Sequence, residues 1–246
     1  MIWVLLPLSI VCELIDSSLG MMYGTLLSPL LIMMGFDAKL VVPSVLLSQA
    51  VGGGISTIGH HQKNNANFKG MTNHTKIALS IIVPGVLACI LGAWVGVQIP
   101  KLWLNIYIGS IVVIMGILCV TKLNYTFTWT KMYLVGLLSG FNKAMSGGGF
   151  GPVTSTGKIL SGVDSKVSVA TTTYAEVPIC FASFLVWILL NGAITLELPA
   201  ILCVGALIGG LIGPSITAKF KTNKLRIIVG ILALACGIWV ITKAVI

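Results

Sequence analysis

The chain repeats itself. Moved along by 127 positions, Gly20, Gly24, Ser28, Gly35, Asp37, Lys39 and Val42 fall on Gly147, Gly151, Ser155, Gly162, Asp164, Lys166 and Val169. Moved along by 121, Leu104, Ile106, Gly109, Gly116, Ile117, Thr121 and Lys122 fall on Leu225, Ile227, Gly230, Gly237, Ile238, Thr242 and Lys243. Such a chain builds two copies of one unit, a first repeat over residues 1–121 and a second over 131–246, joined by the polar linker Lys122 to Thr130. With glycine breaks at matching places in an apolar sequence, this is the pattern of a small secondary transporter forming one transport domain.

Composition places the repeats in a bilayer. Hydrophobic residues are 57% of the 246 and charged residues 9%, with a mean hydropathy of +1.04, whereas a soluble domain carries roughly 25% charge. About ten helical segments would use the whole length and leave only short loops, so no separate soluble catalytic core is available. The net charge of +9 comes largely from lysines at the ends of apolar runs, which reads as membrane topology and not as a nucleic-acid partner. Cys12, Cys89, Cys119, Cys180, Cys203 and Cys236 stand singly in apolar segments, as packing residues do. The first apolar run, Met1 to Leu19, lacks a basic start and carries Glu13 and Asp16, unlike a cleaved signal.

Hydropathy and breakers predict an all-α polytopic membrane protein with helical segments near 2–19, 25–35, 40–60, 73–99 and 102–121, then 130–145, 152–161, 165–190, 196–218 and 223–244. The segments 25–35 and 152–161 are too short to span, because ~30 Å of hydrocarbon needs roughly 20 residues. Lysine placement decides their use. If the first two segments of each repeat form a hairpin, Lys63, Lys69, Lys76, Lys122, Lys131, Lys166, Lys219, Lys221, Lys224 and Arg226 gather on one face, and Lys39, Lys101 and Lys243 on the other. If the two segments make one broken span, the bias nearly vanishes. The positive-inside rule therefore selects hairpins, inverted repeats, broken helices meeting near the midplane, and both termini outside.

The hairpin turns read Asp16-Ser-Ser-Leu-Gly-Met-Met-Tyr-Gly24 and Lys143-Ala-Met-Ser-Gly-Gly-Gly-Phe-Gly151. Irregular backbone at membrane depth is tolerated where protein or a polar cavity satisfies it. Each following half-helix points its N-terminal N–H groups at such a cavity, which suits an anion; glycines spaced only for close helix packing are the alternative. Lys143, flanked by Asn142 and Ser146, is a substrate-binding cation or the partner of its repeat equivalent, Asp16. An oxyanion would accept from the Gly147, Gly148, Gly149 and Phe150 amides, from Ser146 and from Asn142, with Lys143 offsetting its charge. Gly20, Tyr23 and Gln49 are the counterparts offered by the first repeat.

Glu176 lies inside a long apolar segment, and its repeat equivalent is Gln49 beside Ser48. An intramembrane carboxylate points to proton coupling, the alternative being a hydrogen-bonded helix contact. Asp16 and Glu13 join it as proton-coupling candidates, Glu13 nearer a helix end. His60, His61 and Lys63 close the third segment on the lysine-rich face. With His74 the only other histidine, a metal site is not expected, and His60 and His61 read as an interfacial cap or a pH-sensitive gate. Pro43, Pro84 and Pro178 read as kinks inside spans.

With these residues in view, the chain resembles the sulfite exporter TauE/SafE family, also described as the toluene sulfonate uptake permease family. The resemblance covers essentially the whole chain. It rests on Asp16, on Leu19-Gly-Met-Met-Tyr-Gly-Thr25 with Pro29, on Val41-Val-Pro-Ser-Val-Leu-Leu-Ser-Gln49, on His60-His61, and on Ser146-Gly-Gly-Gly-Phe-Gly-Pro152 with Ser161-Gly162. The resemblance implies transport of a small sulfur-containing anion, such as sulfite, thiosulfate or an organosulfonate, across a prokaryotic-type plasma membrane, with no cofactor and no enzymatic step. Three positions depart from the family pattern: Met21 and Met22 stand in a turn where many relatives have more glycines, and Lys143 where some have a neutral residue such as Asn. Protons and the lipid bilayer are the further partners expected. An anion channel and, more remotely, a membrane-embedded enzyme using His60, His61 and Asp16 are the competing readings.

Overall fold

The structure is a computed structural model that describes residues 2–121, 128–160, 163–219 and 223–245. Lys122, Lys221, Ser161, Gly162 and most of the expected linker lie outside the described residues. Those described form ten α-helices and no strand. They are α1 (Ile2–Leu19), α2 (Tyr23–Met33), α3 (Ala38–Gln62), α4 (Asn73–Gln98), α5 (Lys101–Val120), α6 (Trp129–Ser146), α7 (Phe150–Leu160), α8 (Ser165–Asn191), α9 (Glu197–Lys219) and α10 (Asn223–Val245).

The duplication is visible in the bounds. α1 and α2 carried along by 127 positions give the limits of α6 and α7. The half-helices α2 and α7 have 11 residues each, about 16 Å at 1.5 Å per residue, half a bilayer. By length and composition α3, α4, α8 and α9 each suffice to cross a membrane. The repeated Asp-x-Lys motif has a local cause: Asp37 caps α3 by accepting from Lys39 N at 2.8 Å, and Asp164 caps α8 by accepting from Lys166 N at 2.9 Å. An acceptor at that position satisfies an amide the helix cannot. Pro43, Pro84 and Pro178 lie inside α3, α4 and α8, which continue through them.

The halves interlock. α1 packs on α9 as α6 packs on α4; α3 packs on α9 as α8 packs on α4; α5 pairs with α10 and α3 with α8. Exchanging the repeats reproduces the same set of neighbours, so each half buries its helices on the other. Polarity follows the bilayer: Val83, Leu87, Ile90, Leu91 and Trp94 line an exposed face of α4, while Ser9, Glu13, Asp16, Gln49, Lys143 and Glu176 are buried. Polar side chains in lipid are costly, so they collect inside, where partners exist.

Candidate functional site

The two turns cross each other. A methyl group at Gly24 would overlap the carbonyl oxygen of Gly147, and one at Gly151 would come within 2.5 Å of that of Gly20, so glycine is required on both sides of the crossing. The turns share a backbone path. Gly20 and Gly147 have φ of 69° and 73°; Met22 and Gly149, also equivalent, have φ of 101° and 78°. Met22 thus takes a left-handed conformation that costs a side-chain-bearing residue roughly 1–2 kcal/mol, and its side chain is buried. The missing glycine of the first turn has changed the residue and kept the shape.

At this crossing four buried polar side chains join in one chain of bonds. Asp16 Oδ1 accepts from Tyr23 N at 2.9 Å, and Asp16 Oδ2 accepts from Gln49 Nε2 at 3.1 Å. Gln49 Oε1 accepts from the Lys143 ammonium, which also pairs with Glu176 Oε1 at 2.7 Å. The amide of Gln49 can point only one way here, its NH2 toward the carboxylate and its oxygen toward the ammonium. The arrangement is pseudo-symmetric, since Asp16 and Lys143 are equivalent, as are Gln49 and Glu176. α3 and α8 bring their middle residues to it, and α1 and α6 their last turns. Asp16 and Lys143, expected as a possible direct pair, instead meet through Gln49, and Lys143 takes Glu176 as its counter-ion.

The half-helices differ in charge at their starts. Asp16 caps α2 through Tyr23 N. At the equivalent place before α7 stands Lys143, whose ammonium has donors only and cannot accept from Phe150 N. The second turn is otherwise closed: Gly147 N donates to Lys143 O at 2.8 Å, Gly148 N to Ser146 Oγ at 3.2 Å, and Gly149 N to Thr25 Oγ1 at 3.2 Å. Ser146 Oγ donates to Asn142 O at 2.7 Å, and Asn142 Oδ1 accepts from Tyr107 O–H at 2.5 Å. Phe150 is fully buried. Gly20 O accepts from Ser155 Oγ at 2.7 Å, tying the first turn to α7. The Tyr23 hydroxyl is shared between Ser48 at 2.8 Å and Ser9 at 3.0 Å, so it braces α2 on α3 and α1.

The other candidates separate into two groups. Glu13, one turn before Asp16, is fully buried between Gly52 of α3 and Gly209 of α9, and neither carboxyl oxygen has a donor among the described residues. A buried carboxylate without donors is costly, so Glu13 stands apart from the bonded chain. His60 and His61 stand outside the bonded chain of side chains and differ from each other in environment. His60 is buried, its Nε2 3.0 Å from Ser17 O and its Nδ1 3.0 Å from Asn65 Nδ2, which also donates to Pro214 O at 2.9 Å. His61 is exposed, and its Nδ1 accepts from Phe68 N at 3.3 Å. Among the described residues no group of His, Cys, Asp or Glu is placed to hold a metal ion.

Four contributors were not anticipated from sequence. Trp187 is the repeat equivalent of His60, and its Nε1–H donates to Ala144 O at 2.6 Å, Ala144 being the equivalent of Ser17. Both rings therefore fasten the last turn of a helix that enters the crossing. Lys158, equivalent to Leu31, is fully buried in α7 and donates to Ser168 O at 3.0 Å and Thr171 Oγ1 at 2.8 Å. A lone lysine in a segment too short to span was the available signal. Thr25, which accepts from Gly149 N, and Tyr107, which donates to Asn142 Oδ1, are the other two.

A membrane protein whose described residues form ten helices in two interlocked halves, each with a short helix that begins at a buried charged crossing, has the architecture of a transporter. The chain belongs to the sulfite exporter TauE/SafE family, whose model matches residues 5–240. It is also similar to the probable membrane transporter protein YtnM of Bacillus subtilis (strain 168), at 27% identity over 242 residues, 91% of this chain and 77% of that protein.

Proposed function

We propose that this membrane transporter carries a small sulfur-containing anion, of the sulfite, thiosulfate or organosulfonate kind, together with a proton. The observation that carries the reading is the asymmetry at the two half-helices: the first holds an internal carboxylate at its start, and the second holds a lysine. An anion occupying the second turn takes the place that Asp16 takes in the first. It accepts from Phe150 N and from the Gly147 to Gly149 amides, with Ser146 and Asn142 beside it, and replaces neutral oxygens by charged ones, which strengthens those bonds. Gly20, Tyr23 and Gln49 hold the opposite wall.

Charge balance supplies the coupling. With both carboxylates ionised, Asp16, Lys143 and Glu176 carry one net negative charge, which repels an anion. A proton on Glu176 releases Lys143 to the substrate, so an anion and a proton enter together, the proton offsetting one negative charge of the anion. Asp16 and Glu13 are the further carboxyl groups through which the proton moves, and His60 and His61 flank the route on the lysine-rich face. Inverted repeats with both termini outside the plasma membrane would let this one site open to either side in turn. Coupled to an inward proton gradient the carrier takes up substrate. An uncoupled anion would instead leave, driven by about 2.3 kcal/mol per charge per 100 mV.

The test is thermal unfolding of the purified protein with sulfite, thiosulfate, sulfoacetate, taurine, sulfate and chloride. A true ligand raises the midpoint by mass action, about 2.7 kcal/mol at a hundredfold excess over Kd. The expected result is a shift with one sulfur anion that disappears in Lys143→Ala. A shift retained in Lys143→Ala, or none with any of these anions, overturns the reading.

A further inference from the structure

The lysine-rich end of the molecule has a second polar feature, remote from the crossing. Where α4 and α6 begin, they leave between them a cleft of about 540 Å³ lined by Lys76, Leu79, Ser80, Val83, Trp129 and Tyr133. Its shape follows from the packing below it. Farther along, Gly136 fits against Ile81 and Pro84, and Gly140 against Gly85, which draws the two helices together; toward their first turns the lining carries Lys76, Leu79, Trp129 and Tyr133 in place of glycine. The cleft is graded. The exposed ammonium of Lys76, which has no carboxylate partner among the described residues, sits at the mouth with Trp129 and Tyr133, each about half exposed at 48% and 49%. Below lie Leu79 and the exposed Val83, continuous with Leu134, Leu137 and Leu138 on α6, an apolar run facing the lipid.

We infer that this cleft is a binding site for an anionic phospholipid, with its phosphate at Lys76 between the two aromatic rings and an acyl chain along Val83 and α6. Amphipathic aromatic rings favour the headgroup level, and basic clefts between spanning helices favour anionic headgroups. The duplication provides an internal comparison. In the equivalent position between α9 and α1, Lys76 is replaced by Glu197, Ser80 by Ile201, Trp129 by Ile2 and Tyr133 by Leu6. The backbone pairing is the same, and the cation and both aromatic residues are gone, so this equivalent groove lacks the side chains proposed to hold the phosphate. Charge complementarity thus selects an anionic lipid over a zwitterionic one, and selects this groove over its repeat counterpart.

The experiment compares lipid binding to the purified full chain in detergent, by native mass spectrometry and by thermal midpoint, using phosphatidylglycerol, phosphatidylcholine and glycerol 3-phosphate. Phosphatidylglycerol should bind in preference to phosphatidylcholine, and glycerol 3-phosphate alone should give no shift because the chain contact is missing. Lys76→Gln should weaken phosphatidylglycerol about fivefold, the effect of one interfacial lysine, and leave phosphatidylcholine unchanged, which also reports that the variant is folded. Glu197→Gln should alter neither. Equal binding of the two lipids, an unchanged phosphatidylglycerol affinity in Lys76→Gln, or full stabilisation by glycerol 3-phosphate would overturn the inference.

Discussion

Lys143 is the residue on which most of the buried charge depends. Removing it leaves Glu176 without its counter-ion and Gln49 without its donor, and breaking a buried pair from one side costs about 3–5 kcal/mol. Lys143→Ala should therefore lower the unfolding midpoint markedly, while the double variant Lys143→Gln with Glu176→Gln should recover much of it. A coupling of about 0.5–3 kcal/mol in that double-mutant cycle is expected; additive effects would mean that the pair is not formed. Met22 sets strain against burial. Its left-handed backbone is where its repeat equivalent has glycine, so Met22→Gly relieves about 1–2 kcal/mol of strain while removing a buried side chain, and should cost less than Met22→Ala, which removes the side chain and keeps the strain. Equal unfolding midpoints for the two variants would show that the left-handed backbone carries no strain.

Among elements, the turns and the helices that carry them depend on close approach. Gly24→Ala and Gly151→Ala each force a methyl group into the backbone of the other turn, and both should abolish accumulation of folded protein in membranes. Trp187→Phe removes one hydrogen bond to Ala144 O and should cost about 1 kcal/mol without affecting substrate-induced stabilisation. Much of this level was legible in the sequence. Half-helices too short to span, the glycine turns before them and the polar positions at Asp16, Gln49, Lys143 and Glu176 follow from apolar length, glycine spacing and the repeat. What stayed hidden was the pairing. Lys143 and Asp16 are equivalent by repeat, and nothing local says that Gln49 stands between them. Trp187 was hidden for a different reason: a buried tryptophan in an apolar helix is ordinary, and its role is seen only when its ring N–H is found on the carbonyl that matches the partner of His60.

For the whole molecule, interlocking of the halves means that neither repeat should fold alone. Expressed separately, residues 1–121 and 131–246 should be degraded, and co-expressed they should assemble. The proposed orientation can be checked in a cysteine-free background, where single cysteines at Lys69 and Lys101 should react with an impermeant reagent from opposite sides, Lys69 from within; labelling of both from one side would contradict the hairpin topology. The central claim is that an anion and a proton exchange for the Lys143 to Glu176 pair. The most direct measurement places the protein in liposomes with a trapped pH indicator and imposes a thiosulfate gradient, thiosulfate carrying no proton of its own at neutral pH. Wild-type protein should acidify the interior as thiosulfate enters, and Glu176→Gln should lose that acidification. Thiosulfate entry with no movement of protons, or acidification unaffected by Glu176→Gln, would contradict the account.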